Sequence, residues 1–252
     1  MGWSKDPGPP QAGGSPRRFL FLRYSFMKRI LNIAIDESGD FGEYQKHSPY
    51  YFVAMLFHDD QNDINHAAKL LDNQIINLGY DIHAIHTGPI IRREDRYKNL
   101  SIDERKKLLN ALIHFNRRID IMYNVLYIEK KECADIIEVI TKLSKKIHLF
   151  VKKHEEFFHR FDEVNVYYDN GQIELTRILT STLSVLLPNV TFHRVKPFEY
   201  KLSQLIDMYC SLELTALKFE KKIPSQSELE VFHNYRTFKQ DYLKKIRKKR
   251  LD

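Results

Sequence analysis

Acidic residues stand at the ends of two apolar runs in this sequence and inside a third. Asp36-Glu37-Ser38-Gly39-Asp40 follows the run 30–35, Asp169 closes the run 164–168, and Asp207 lies within 202–217, three residues after Gln204. Taken singly, each has a plain structural explanation. Asp, Ser and Gly are ordinary turn residues, and Asp169-Asn170-Gly171 is a turn sequence. Asp207 shares a helical polar stripe with Ser203, Gln204, Ser211, Thr215 and Lys218. Together the acids suit metal-assisted phosphoryl hydrolysis, which needs several carboxylates converging on cations about 3.5–4 Å apart. Mg²⁺ and Mn²⁺ prefer such oxygen ligands.

A second group of residues suits phosphate. The stretch 82–97 contains His83, His86, Arg92, Arg93 and Arg96. His86 could donate to, or protonate, a scissile phosphate, and the planar guanidinium forks of Arg92 and Arg93 match phosphate oxygens. His83 reads as a surface-loop residue. His154 and His159 show no metal-ligand pattern. Cys133 and Cys210 are far apart in sequence and read as structural residues; neither a disulfide framework nor a zinc spacing is present, so a reducing cytoplasm is the expected compartment.

The elements that must position these groups follow from periodicity. Runs 30–35, 50–57, 121–128, 164–169 and 190–195 read as strands, the first two as an antiparallel pair. Helical spacing covers 63–78, with Gly79 as its C-cap, and 101–115, where Ser101 and Glu104 form a capping box. Further helices are expected over 131–159, 174–186 and 199–219, while 83–96 reads as irregular. Three early strands followed by alternating helices and strands make a mixed α/β pattern. No Gly-rich phosphate loop follows the first strand, which argues against a dinucleotide or P-loop fold.

Apolar residues make up 43% of the 252 residues and charged residues 29%, enough for a core and too ordered a balance for a disordered chain. No apolar run approaches the ~18 residues of a membrane span. The net charge of +7 is concentrated at the ends. Residues 1–26 hold Lys5, Arg17, Arg18 and Arg23 against Asp6, and read as a disordered extension preceding a natural start at Met27. Residues 239–252 hold seven Lys or Arg against Asp241 and Asp252. The body between is near neutral, so it is not a uniform nucleic-acid footprint. The expected organisation is an extension over 1–26, a domain over 27–224 and a basic C-terminal segment over 225–252, helical from 238 to 251. That helix reads either as a solvated terminus or as a contact to a phosphate backbone.

Ile35-Asp36-Glu37-Ser38-Gly39-Asp40 near the start and Gln204-Leu205-Ile206-Asp207 near the end resemble the bacterial and phage family called domain of unknown function 3800, whose hallmarks are an Asp-Glu-Ser motif and a Gln-x-x-Asp motif. Tyr167-Tyr168-Asp169, and His86-Thr87-Gly88 followed by Arg92 and Arg93, also resemble that family, over 27–217 in all. The resemblance implies a ribonuclease H-like fold: a mixed five-stranded sheet flanked by helices. It implies catalytic, metal-holding roles for Asp36 on the first strand, Asp169 on the fourth and Asp207 on the last helix. The acid usual on the helix after the third strand has no clear match; Glu132, Asp135 and Glu138 are available there, and Glu37 or Asp40 could substitute. The family carries no established activity, and fold alone gives none.

The expectation is therefore a metal-dependent, nuclease-like phosphodiester hydrolase. Asp36, Asp169 and Asp207 hold Mg²⁺ or Mn²⁺, Glu37 and Gln204 orient them, and His86, Arg92 and Arg93 handle phosphate. The rival from another class is a non-catalytic nucleic-acid-binding or protein-interaction protein of phage or mobile-element biology. A hydrolase of nucleotides or another phosphoester is a third reading.

Overall fold

The computed structural model describes residues 28–169, 171–194 and 201–252; the expected extension over 1–26 and the Met27 start lie outside them. Strands β1 (Ile30–Ser38), β2 (Tyr50–Asp59), β3 (Met122–Glu129), β4 (Glu163–Tyr168) and β5 (Val190–Arg194) form one sheet in the order β3-β2-β1-β4-β5. β1 pairs antiparallel with β2, and β2 with β3, while β1 and β4, and β4 and β5, run parallel. This is the mixed five-stranded α/β sheet expected, with β1 at its centre. Because β1 and β4 are parallel, their carboxyl ends, carrying Asp36-Glu37 and Asp169, open at the same edge.

Alternation along β1 assigns the two faces. Leu31, Ile33 and Ile35 pack on one side with Val53, Met55, Val164 and Val166, beneath α4 (Ile136–Lys153) and α6 (Ile173–Leu186). Ala34 faces the other side with Phe52, Ala54 and Leu56, beneath α1 (Asn65–Asn77), α3 (Ile102–Arg118) and α7 (Lys201–Glu220). The capping box of α3 is present: the Ser101 hydroxyl accepts from the Glu104 amide, and the Glu104 carboxylate accepts from the Ser101 amide. Gly79, at φ +86°, follows α1 as expected.

Three expectations are corrected. First, 83–96 is not irregular throughout: it contains α2 (Thr87–Arg92), and a 3₁₀ turn at Asp95–Tyr97 follows. The Gly88-Pro89 pair conceals α2, yet Pro89 sits in the first turn, where its missing N–H breaks no helical bond. Second, the helix over 131–159 is broken. A 3₁₀ turn at Lys130–Glu132 precedes α4, and α5 (Glu155–Phe158) is a separate turn beyond His154. Third, 238–251 is not one solvated helix. After α8 (Gln226–Phe232) come α9 (Tyr235–Phe238), a π-helical turn at Lys239–Leu243 and α10 (Lys244–Arg247). Phe238, Tyr242, Leu243 and Ile246 are buried in the α3/α7 core.

Beyond α10 the chain lies against β3. The Tyr123 amide donates to the Lys249 carbonyl at 2.9 Å, and the Leu251 amide donates to the Tyr123 carbonyl at 2.8 Å, which covers part of an open sheet edge. Arg247 makes a two-pronged pair with Glu213 of α7, its Nη2 2.7 Å from Oε2, and the Tyr123 hydroxyl donates to Glu213 Oε1 at 2.7 Å. Glu213 is 5% exposed. Removing one partner of such a pair strands a buried charge. Arg247→Ala is expected to destabilise the protein by about 3 kcal/mol, and Arg247→Lys by less, in urea unfolding followed by circular dichroism. Equal stability of wild type and Arg247→Ala would remove the pair from any structural role.

Candidate active site

The carboxyl ends of β1 and β4 border a cleft of about 610 Å³. Asp36, Glu37, Asp169 and Asp207 all line it, together with His86 and Arg92. Asp36 and Glu37 belong to β1 itself, which continues three residues further than the apolar run suggested. Their side chains therefore leave on opposite faces: Asp36 on the α7 side with Ala34, Glu37 on the α6 side with Ile35. Asp169 follows β4 directly. Gly39, at φ +94°, turns the chain out of the strand, and a Cβ there would stand 2.2 Å from the Tyr50 carbonyl oxygen, so only glycine fits.

Each acid is held differently. The Tyr168 hydroxyl donates to Glu37 Oε1 at 3.0 Å, while Glu37 Oε2 is buried without a hydrogen-bond partner. Asp169 Oδ1 accepts from the Gly171 amide at 2.8 Å. A Cβ added at Gly171 would lie 2.9 Å from Glu37 Oε1 and 3.2 Å from Asp169 Oδ1, so glycine keeps open a space that both carboxylates border. Asp207 Oδ2 accepts from the Thr87 amide at 2.7 Å, and Ser211 Oγ donates to Asp207 Oδ1 at 3.4 Å.

Gln204 does not reach the cleft. It is 1% exposed, and its Oε1 accepts from the Ile85 amide at 3.1 Å. The Gln-x-x-Asp spacing thus puts two acceptors one helical turn apart, and they take the Ile85 and Thr87 amides on either side of His86. The His86 amide donates to the Tyr97 hydroxyl at 3.2 Å, and His86 Nδ1 stands 3.9 Å from Asp207 Oδ2. The other end of α2 is held by Arg105, 2% exposed, whose Nη1 donates to the Ile90 and Ile91 carbonyls at 2.6 and 3.2 Å.

The two arginines part company. Arg92 lines the cleft and pairs with Glu94 at 2.8 Å. Arg93 occupies the left-handed region at φ +61°, and its Nε donates to the Lys98 carbonyl at 2.8 Å; it is not among the cleft residues, where the role on phosphate expected of it would place it. Glu132, Asp135 and Glu138 also stay away. Asp135 caps α4 through the Glu138 amide, and Glu138 accepts from the Ala134 amide. Of the candidates for the fourth acid, Glu37 and the exposed Asp40 reach the cleft. Sequence reasoning missed Tyr168, Tyr97 and Arg105, which touch the acids or the His86 segment only through the tertiary fold.

Electrostatically the acids oppose one another. Burial, then the neighbouring Asp207, Glu37 and Asp169, push the Asp36 carboxyl well above its usual range. Burial raises Asp207, partly offset by the Thr87 amide, His86, Ser211 and Arg92. Glu37 is pushed up to about 7, first by burial, with Asp169 adding to the rise and the Tyr168 hydroxyl opposing it. Among the described residues, no lysine or arginine forms an ion pair with Asp36, Glu37, Asp169 or Asp207. An all-oxygen donor set, an unpartnered Glu37 oxygen and the open cradle at Gly171 fit a hard divalent cation. The fit is incomplete in one respect: among the described residues, no three His, Cys, Asp or Glu side chains are already grouped to hold one ion.

No family model matches the chain, and no curated protein matches it significantly. Among the solved structures that overlap with it are two ribonucleases. One is ribonuclease HII, solved with PCNA, from Archaeoglobus fulgidus, with 16% identity, 81% of this chain and 87% of that chain covered, and a TM-score of 0.38. The other is ribonuclease H2 from Pyrococcus horikoshii OT3, with 14% identity, 79% and 82% coverage, and a TM-score of 0.38. Superpositions this loose describe a broad similarity of shape and nothing more. No helix among the described residues is long and apolar enough to cross a membrane. Cys133 and Cys210 are both free, and Cys210 is buried beneath the site.

The raised acids set the sign of a pH effect. Glu37 ordinarily titrates near 4.5 and in the fold near 7, so the folded protein binds the extra proton between those values. Its contribution to stability is complete below about 4.5 and is lost as pH rises through about 7. In the presence of a chelator, Glu37→Gln is expected to gain thermal stability over wild type at pH 8 and to lose that advantage at pH 5. An advantage that does not change with pH would contradict the assignment.

Proposed function

We propose that this cleft is the centre of a divalent-metal-dependent phosphodiester hydrolase with nuclease-like activity. One observation carries the reading: four carboxylates from β1, the end of β4 and α7 border a single cleft, partly desolvated and unpaired with any lysine or arginine among the described residues. A protein that only bound nucleic acid would gain nothing from concentrating negative charge where phosphate must approach. The non-catalytic rival expected these acids to be scattered or tied up by cations, and they are neither.

Asp36, Asp169 and Asp207 are the residues to hold Mg²⁺ or Mn²⁺, with Glu37 as the fourth acid. Such ions, when bound, lower the pKa of the attacking water and stabilise the leaving oxygen. The protein's own groups do the rest. Tyr168 fixes one oxygen of Glu37 and leaves the other free to accept a proton or a ligand. The carboxylate of Asp207 is aimed by the Thr87 amide rather than left to rotate. His86 is clamped through its backbone and stands at the cleft wall, where its ring is available to donate to a phosphate or leaving group. Arg92 offers guanidinium donors on the same side. Gln204 acts from beneath by holding the backbone before His86.

The resemblance to domain of unknown function 3800 belongs to this proposal. Its support is that the strand bearing Asp-Glu-Ser and the helix bearing Gln-x-x-Asp pack together at the cleft. A reducing cytoplasm and a nucleic-acid partner are part of the same reading.

The test is cleavage of labelled single-stranded and duplex nucleic acids with Mg²⁺, Mn²⁺ or chelator. Cleavage that requires a divalent ion and falls by about 100-fold or more in Asp36→Asn and in Asp207→Asn, with folding retained, is the expected result. Cleavage undiminished in both variants, or equally fast in chelator, would end the proposal.

A further inference from the structure

We propose that a second surface, formed by the C-terminal half of α3 and the basic tail, holds the phosphate backbone of the nucleic acid on which the cleft acts. This deepens the phosphodiester reading of the cleft and rests on it for the identity of the partner.

The tail's positive charge divides into two sets. Arg247 is paired with Glu213, Arg250 lies 3.9 Å from Glu213 and 3.2 Å from Asp252, and the Lys249 ammonium donates to the Ile119 carbonyl. These three hold the tail in place. Lys244 and Lys248 are exposed and Lys245 is half-buried, and none of them makes an ion pair among the described residues. The turn that carries Lys244 and Lys245, α10, packs against α3.

On α3, Lys107, His114, Arg117 and Arg118 are exposed, and 107, 114 and 118 recur at helical spacing on one side. His114, Arg117 and Arg118 line a groove of about 350 Å³. After burial, the charges of Arg118, Arg117 and Lys245 oppose protonation of His114, so Lys245 of the tail shares this surroundings with the α3 residues. Neither arginine has an ion-pair partner among the described residues. The acids within 114–120 and 239–249 are Asp120 and Asp241 alone, against Arg117, Arg118, Lys239, Lys244, Lys245 and Lys248, six cations that make no ion pair among the described residues.

The chemistry of the face selects the partner. No large apolar side chain is exposed within the described stretches 107–118 and 239–249, so nothing there could enter a bilayer. Guanidinium forks without aromatics suit phosphate oxygens in a sequence-independent contact. The position is also suitable. α3 begins beside α2, where Arg105 holds the Ile90 and Ile91 carbonyls, and Arg117 lies about 18 Å further along the helix. A strand leaving the cleft past Arg92 can follow α3 to this groove.

The experiment measures binding without cleavage. Fluorescence anisotropy of a labelled DNA duplex of about 20 base pairs is followed in chelator over a range of salt concentrations. The Arg117→Ala/Arg118→Ala/Lys245→Ala variant is expected to bind about tenfold more weakly or worse, with the slope of log affinity against log salt smaller by about two to three. A control lacking the same number of charges on α4, Lys145→Ala/Lys152→Ala/Lys153→Ala, is expected to bind like wild type. No binding by wild type, an equal loss in the control, or preferential binding of phosphatidylserine vesicles through the same three residues would overturn the proposal. A failure of the cleft to cleave is read in a separate assay with metal and leaves these binding outcomes distinct.

Discussion

Carboxylates crowded where water is scarce repel one another, and the open end of this sheet is arranged around that repulsion. Asp36 sits on the central strand, next to Asp207 on the face covered by α7, with Glu37 and Asp169 around the strand end. Each acid raises the free energy of ionising the next, and burial adds to the effect. The fold relieves this only in part, with the Thr87 amide and the side chains of His86, Ser211 and Arg92 at Asp207 and one tyrosine at Glu37. A site left short of positive charge is suited to receive it from outside, and in the proposed function a divalent cation would supply it.

The second consequence concerns α2. Six residues cannot sustain a helix by local propensity, and this one contains Gly88 and Pro89. It exists because both ends are held from elsewhere. Gln204 and Asp207 take the amides at its start, and Arg105 takes the carbonyls at its end. The Gln-x-x-Asp spacing thus has a physical meaning that differs from the one the sequence suggested. Only the aspartate faces the cleft; the glutamine holds the backbone that presents His86. The two side chains act on a single segment, so a change in either reaches the histidine without touching it.

What could be read from sequence divides along the same line. The strands β1 to β5 and the capping box at Ser101 are local signals, and they appear within a few residues of where alternation and spacing put them. Asp36, Glu37, Asp169 and Asp207, which line the cleft together with Asp40, also stood out, because strand ends and a helical spacing of three are visible without a fold. Tyr168, Tyr97 and Arg105 did not, since each meets its partner only after the chain has folded. The tail misled for a different reason. Phe238, Tyr242, Leu243 and Ile246 have the spacing of a buried helical face, but seven basic residues in the same stretch suggested a solvated one. Charge shows what a segment exposes, while its apolar residues decide where it goes, and here both were present.

The fourth acid shows how the fold can meet one need by different routes. A helix after the third strand would reach the cleft from outside the sheet, but the acids at the start of α4 are committed to that helix's own N-terminus: Asp135 caps it and Glu138 closes back on Ala134. In the proposed site Glu37 takes that place, because β1 runs on past Asp36 and adjacent strand residues point to opposite faces. One strand thereby supplies two acids to two sides of its own end, and the space between Glu37 and Asp169 is kept clear by Gly171, where a methyl group would press on both. The site consequently wraps around the end of a strand instead of lying on one face of the sheet. Its shape depends on the hydrogen bonds of β1 to β2 beyond Asp36, where Glu37 pairs with Val53 and Ser38 with Phe52. The short Asp-Glu-Ser sequence is therefore both the end of the sheet and the wall of the cleft, and neither role can be altered without the other.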